Sequence, residues 1–360
     1  MVRLHRWLGL ASGSVILVVC ATAIPMAFED EINRVLHPAW FAEAPTADLD
    51  PDEWMAALPQ GFRSGSVTIY RDGSRLPLIA GRSSAGAAHI AFDPVSRQQF
   101  VYEREHGWYM SLFRIHRGLV AGQIGRTVVG AATLIFILVM LTGAFVWWPR
   151  KRQRFRDVAT MRYRGRRLSR LLADFHKVWG SYAVLVLLVL AVTGLPFAYS
   201  WASEAAIAAG GGERQQPGPS VPEALREETR SYTELLERAE YLFPDSERFV
   251  LSIPAASSRP ASIRAFLPQR LHDDAADVAF LSSGDGELLR LDRFDDMAGG
   301  TRVRSLMLPI HTGSILGLGG RILAALACLV AVLLPVTGVV MWYPAWRLRR
   351  KRRESGPRRS

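Results

Sequence analysis

Four apolar runs punctuate the chain, at approximately residues 7–28, 127–148, 178–199 and 322–343. A helix of about 20 apolar residues crosses the hydrocarbon core of a bilayer, so the pattern predicts a polytopic membrane protein. Two long polar stretches, 30–112 and 201–305, separate the first run from the second and the third from the fourth. In the first stretch, "DLDPDEWMAAL" predicts a short capped helix. It is followed by "SVTIYRD", "RLPLIAG" and "AAHIAFDPVSRQQFVYE", whose composition and turn residues predict strands. The second stretch keeps that order, with "SYTELLERAEYLF" as helix and "ERFVLSIP", "ASIRAFL" and "DVAFLSSGDGELLRLDRF" as strands. Each reads as a small α+β module, one helix with a few antiparallel strands. Residues 205–222 are rich in Gly and Pro and read as a linker.

The apolar runs also match one another. His116 to Pro149 aligns with His311 to Pro344 without a gap, with 12 of 34 positions identical. The shared positions include Gly118/Gly313, Gly122/Gly317, Gly125/Gly320, Arg126/Arg321, Thr142/Thr337, Gly143/Gly338 and Trp147/Trp342. His5 to Phe28 aligns with His176 to Tyr199 in the same way, including His5/His176, Gly9/Gly180, Thr22/Thr193 and Pro25/Pro196. The fold class expected is therefore membrane α-helical plus α+β: four transmembrane helices in a parallel tandem repeat of helix, module, helix. "MVRLHRW", the apolar run and "ATA" at 21–23 also resemble a cleaved signal peptide. The internal counterpart argues that the first run is retained.

The net charge of +11 acquires meaning from its placement. Basic residues crowd at Arg3 and Arg6, between Arg150 and Arg170, and between Arg347 and Arg359, and the remainder is net acidic. Lys and Arg accumulate in cytoplasmic segments, which predicts cytoplasmic termini and outward-facing modules. The basic segments read as topological signals and contacts for anionic membrane lipid, with no nucleic-acid partner expected. The resulting layout is 1–29 first span, 30–112 first module, 113–149 interfacial segment and second span, and 150–174 basic cytoplasmic loop. It continues with 175–200 third span, 201–305 linker and second module, 306–346 interfacial segment and fourth span, and 347–360 basic tail.

Symmetry then directs attention to four histidines. His5 is expected to meet His176 near the cytoplasmic face, and His116 to meet His311 near the outer face. Ionisable side chains in or near a bilayer mark functional sites by default. Two opposed imidazoles fill both axial positions of one haem iron, an arrangement suited to electron transfer. No C-x-x-C-H motif is present, so the cofactors expected are two b-type haems, held without covalent attachment. Gly118, Gly122, Gly313 and Gly317 are candidate cofactor-binding positions, removing side chains where a planar group must pass. Arg126 and Arg321 are candidate propionate partners; they also suit interfacial snorkelling. A zinc or copper site would want further ligands that these positions do not offer. His37, His89, His106 and His272 read as structural or surface residues, with His106 the one near enough to the outer pair to test. Cys20 and Cys328 both fall inside apolar runs, so no disulfide framework supports the modules.

"LHRWLGL" with "TAIPMAFEDEI", and "IHRGLVAGQIGR" with "LTGAFVWWPRKR", resemble the PepSY-associated transmembrane helix family of bacterial inner-membrane proteins. The resemblance implies periplasmic PepSY-like modules and multi-pass residence in the inner membrane. It also implies kinship with di-haem reductases of ferric siderophores. The activity it implies is reduction of a ferric siderophore or another periplasmic Fe(III) chelate, with electrons from quinol or a cytoplasmic reductase. A rival reading is a non-enzymatic anchor whose modules bind or regulate a periplasmic peptidase or an iron-uptake partner. A third is an iron-uptake transporter with two helices broken at the midplane; Pro335 is expected to break one run, while Met140 at the matching place does not. The depth of the outer pair stays open: residues 113–125 either lie flat on the outer surface or dip inward at their glycines.

Overall fold

The computed structural model describes residues 1–46, 49–84, 86–149, 159–161, 168–223, 231–254, 256, 258–268, 270, 272, 275–282 and 286–354. Most of the basic loop expected at 150–174 and the end of the basic tail lie outside the described residues. Among those described, the order is α1 (Val2–Met26), α2 (Glu29–Leu36), α3 (Pro51–Ala56), β1 (Arg63–Tyr70), β2 (Leu78–Ser83), β3 (Gly86–Phe92) and β4 (Gln99–Tyr102). Next come α4 (Trp108–Gly118), α5 (Gly122–Trp147), α6 (Leu168–Ala198), α7 (Ser200–Ala209) and α8 (Tyr232–Leu242). The chain ends with β5 (Arg248–Ser252), β6 (Ala261–Phe266), β7 (Asp277–Leu281), β8 (Leu288–Asp292), α9 (Gly299–Thr312) and α10 (Gly317–Glu354). Two compact units result, one of Met1–Ala27, Leu112–Ala205 and Met307–Ser360, the other of Phe28–Ser111 and Ala206–Leu306.

The first unit is helical. α1, α5, α6 and the stretch Ser314–Tyr343 are each long and apolar enough to cross a membrane. α1 packs on α5 and α10, and α6 packs on the same two, so α1 and α6 stand diagonally across a four-helix ring. Small and flexible side chains fill its centre: Ile16, Cys20, Ala132, Met140, Ala183, Leu187, Ala324, Cys328 and Ala331. Small residues let helix backbones approach where lipid offers no hydrophobic drive to associate. α6 begins at Leu168 and so takes in residues 168–174, which the charge pattern assigns to the loop. α10 runs unbroken through Pro335, correcting the expected break there. The missing amide hydrogen bond is tolerated because neighbouring helices hold the segment. The broken helices expected of a transporter are therefore not found among the described spans.

The second unit holds one antiparallel sheet of eight strands in the order β4-β3-β2-β1-β5-β6-β7-β8. The two modules expected separately are joined at its middle, where β1 pairs with β5 through Val67↔Leu251 and Ile69↔Phe249. Alternation of buried and half-exposed positions along β1 and β5 gives the sheet one apolar face. α3 and α8 cover it, with Trp54 stacked on Phe92 and Leu235, Leu236 and Ala239 buried among Val67, Ile79, Phe249, Leu251 and Ile263. The joint at β1/β5 lets both helices share one core.

The two helices are also tied at their N-termini. Asp50 caps α3, accepting from the Asp52 and Glu53 amides. Asp52 in turn accepts from the Tyr232 and Thr233 amides at 2.8 and 3.1 Å, serving the start of α8. Burial opposes ionisation of Asp52, but hydrogen bonds from Thr233, Tyr232 and Ser231 outweigh it and hold the carboxyl below its usual range. Residues 205–222, expected as linker, are helix α7 to Ala209 and irregular from there.

Candidate functional site

All four boundary histidines lie in the helical unit, and they meet in the expected pairs. His5 and His176 have ring centroids 6.3 Å apart with planes at 86°. His116 and His311 stand 6.2 Å apart at 63°. Edge-to-face rings in plain contact fall in the same range, so the hydrogen bonding of each ring is what gives the pairs a chemical direction.

Every one of the four Nδ1 atoms is engaged by a helix other than its own. His5 Nδ1 lies 3.0 Å from the Val139 carbonyl and 3.2 Å from Thr142 Oγ1 on α5. His176 Nδ1 lies 2.9 Å from Thr337 Oγ1 on α10. His116 Nδ1 meets the Val19 carbonyl of α1 at 2.9 Å, and His311 Nδ1 meets the Leu190 carbonyl of α6 at 2.7 Å. A carbonyl only accepts, so Nδ1 carries the proton in His5, His116 and His311; Thr337 Oγ1 gives its own proton to the Leu333 and Leu334 carbonyls and so accepts from Nδ1 of His176. Nε2 is thereby left as the basic nitrogen, the tautomer that a ligating histidine adopts when its other nitrogen is held.

The anchoring sites share one local design. Each anchoring carbonyl sits three residues before a threonine, Val19 before Thr22, Val139 before Thr142 and Leu190 before Thr193, and the Leu334 carbonyl stands in the same relation to Thr337. Each of these hydroxyls donates back into its own helix, to that same carbonyl and the one preceding it. The next residue is Gly143, Gly194 or Gly338 in three cases and Ala23 in the fourth. A Cβ on Gly143 would stand 3.0 Å from His5 Cε1, on Gly194 2.8 Å from His311 Cε1, and on Gly338 3.6 Å from His176 Cε1. The glycines let each imidazole lie against the helix that anchors it. The sequence alignment contains Thr142/Thr337 and Gly143/Gly338, but it attaches no role to them. The recurring Thr-Gly dipeptide in three apolar runs was the available signal.

The outer pair dips inward. α4 places His116 at the level of Val19, about two turns inside the end of α1 at Met26. Val19 and Leu190 each lie fourteen residues beyond the histidine of their own helix, a rise of about 21 Å. The two pairs therefore sit at separate depths within the span.

The predicted glycines prove to shape the turns after the histidines. Gly122 and Gly317 begin α5 and α10 with φ of +56° and +59°, a left-handed region that glycine enters freely. Gly118 and Gly313 are the close partners of Gly125 and Gly320, whose added Cβ atoms would fall 1.7 and 2.1 Å from the Gly118 and Gly313 carbonyl oxygens. The two arginines differ: Arg321 Nη1 donates to the Ala27 carbonyl at the end of α1, while Arg126 is exposed. Of the other histidines, His37 stacks on Trp40, His272 is buried edge-on to Phe294, and His106 is exposed beside Glu103. His89 lies in β3, where burial and then Arg104 push its pKa down to about 4.

Two imidazoles sharing one metal through Nε2, with bonds of about 2.0 Å and about 1.1 Å more from each nitrogen to its ring centre, would have centroids up to about 6.2 Å apart. Both observed separations match that value. The residues present thus fit two bis-imidazole centres in spacing, tautomer and anchoring. The sheet unit offers a groove of about 410 Å³ lined by Gly65, Pro254, Arg259, Ser262 and Phe280.

No curated protein matches the chain significantly. A match does extend from residue 2 to residue 344 with the family described as PepSY-associated TM region, covering all four spanning helices and the sheet between them. The chain therefore belongs to the PepSY-associated TM family.

Proposed function

We propose that this is a di-haem b-type electron-transfer protein of the bacterial inner membrane, reducing a periplasmic ferric complex of the siderophore class. The observation that carries the reading is the pair of opposed imidazole couples, each ring anchored through Nδ1 and left basic at Nε2. His5 with His176 would hold one haem and His116 with His311 the other. Bound there, each would supply reversible one-electron chemistry with no open coordination position.

The chain's own contribution is orientation and exclusion. The carbonyls of Val19, Val139 and Leu190 and the hydroxyl of Thr337 fix ring rotation and raise the basicity of Nε2. The threonines keep those carbonyls in place, and Gly143, Gly194 and Gly338 seat the rings. The apolar centre of the helix ring excludes water, which suits a group that changes charge without gaining or losing a ligand. Reduction of the substrate Fe(III) to Fe(II) weakens its hold on hard oxygen chelators, releasing the metal. Electrons would come from quinol or a cytoplasmic reductase. The reading includes cytoplasmic termini, supported by the basic segments, and a parallel tandem repeat, supported by the matched anchoring positions. The groove on the sheet unit favours one second reading, an anchored protein that binds a periplasmic peptide or peptidase.

Haem content decides between them. Detergent-purified wild type from haem-replete cells is expected to carry two low-spin haems per chain, His116→Ala and His176→Ala one each. A colourless wild type overturns the proposal and leaves the anchor.

A further inference from the structure

The contact between α1 and α10 follows a ladder. Trp7 meets Trp342 with centroids 6.4 Å apart; a Cβ on Gly13 would stand 3.0 Å from Pro335 Cβ; Arg321 reaches the Ala27 carbonyl at 3.1 Å. These rungs step by six and fourteen residues along α1 and by seven and fourteen back along α10, so they lie on one face of two antiparallel helices. The remaining rung, seven beyond Gly13 and seven before Pro335, is Cys20 with Cys328. Both are buried, 8 % and 7 % accessible, in the same apolar core cluster. They are the chain's two cysteines.

Nothing in the bis-imidazole arrangement asks for them. The positions aligned with Cys20 and Cys328 are Ala191 on α6 and Thr133 on α5, and the histidines are anchored as well on that side. Gly13 brings the two backbones together two turns away, as small residues do in membrane helix pairs. A disulfide joins Cβ atoms about 3.5–4.5 Å apart, and on the neighbouring rung a Cβ on Gly13 would stand only 3.0 Å from Pro335 Cβ.

We propose that Cys20 and Cys328 form a disulfide latch between α1 and α10, closed by dioxygen, which dissolves in the apolar interior that polar oxidants do not reach. The two thiols give up two protons and two electrons as the Sγ–Sγ bond forms. One dioxygen takes up both and leaves as hydrogen peroxide. The latch ties down the part of α1 beside Val19, whose carbonyl holds His116. Its formation does not depend on haem at the histidine pairs.

The test counts thiols on the full chain. Membranes prepared with and without air are dissolved in SDS containing maleimide–polyethylene glycol, which adds one mass step for each free thiol. Wild type is expected to gain two steps from anaerobic membranes and none from aerated ones, unless dithiothreitol is added before labelling. Cys20→Ser and Cys328→Ser are each expected to gain one step under both conditions. Two steps from aerated wild type overturn the latch. So does thiol loss in either single variant with a reducible dimer band, which places the bond between chains.

Discussion

Gly194→Ala is the sharpest probe of the site because it adds one methyl group at a known place. The new Cβ would fall 2.8 Å from His311 Cε1, whereas carbon atoms in contact prefer about 3.5–4.0 Å. The ring must then move by roughly 0.7 Å or more, and it is held by a 2.7 Å bond from Nδ1 to the Leu190 carbonyl. Stretching that bond forfeits about 1 kcal/mol, and overpacking a filled site costs about 1–3 kcal/mol in all. Every 1.4 kcal/mol is about tenfold in an equilibrium constant. The outer His116/His311 centre should thus bind haemin about 10- to 100-fold more weakly, while the His5/His176 centre, about 21 Å away along the helix axis, keeps its affinity. Haemin titration of apoprotein, followed by the low-spin absorbance, resolves the two sites. Equal affinities in Gly194→Ala and wild type would refute the seating of His311 against α6. A loss at both sites would refute their independence.

Thr337→Val removes the hydroxyl that accepts from His176 Nδ1 at 2.9 Å. Interhelical hydrogen bonds in membranes average about 0.6 kcal/mol, so the same titration should find the inner site weakened by only a few-fold; a hundredfold loss would mean that Thr337 does more than anchor. Glu29 in α2 has its pKa raised to about 7, first by burial, with repulsion from Asp30 adding and attraction to Arg104 opposing. A raised carboxyl is a stabilising proton site below about pH 4.5, and its contribution is lost as pH climbs through about 7. Glu29→Gln should flatten that part of the melting profile and raise Tm at pH 8, by up to about 3 kcal/mol of stability; an unchanged slope between pH 5 and pH 8 contradicts it. Asp52→Ala strips the Tyr232 and Thr233 amides of their acceptor and should cost about 1–2 kcal/mol, read from the Trp54 fluorescence melt. Because the Asp52 carboxyl is depressed, its contribution should be present at neutral pH and vanish as pH falls through its folded-state pKa; a wild type and variant that differ equally at pH 7 and pH 2 would count against it.

The sequence by itself determined the elements and the pairing of the histidines. Runs of apolar residues long enough to span a bilayer are a local, cumulative signal, and all four became helices. The strands and caps also followed local rules, as Asp50 before α3 and Ser231 before α8 illustrate. His, Gly and Arg aligned without gaps in the two halves pointed to His5/His176 and His116/His311 before any coordinates did.

Only the tertiary structure decided what holds those rings. The acceptors of Nδ1 are backbone carbonyls, present at every residue and invisible in composition, and each belongs to a helix remote in sequence. Gly194 and Gly143 read as ordinary membrane glycines until a ring lies against them, and the positive φ of Gly122 and Gly317 at the starts of α5 and α10 shows only in the folded chain. The dip of α4 to the depth of Val19, the fusion of two modules through β1 and β5, and the meeting of Cys20 with Cys328 share one origin. Each is a contact between segments far apart in the chain, fixed by how whole elements pack, and local propensity carries no term for it.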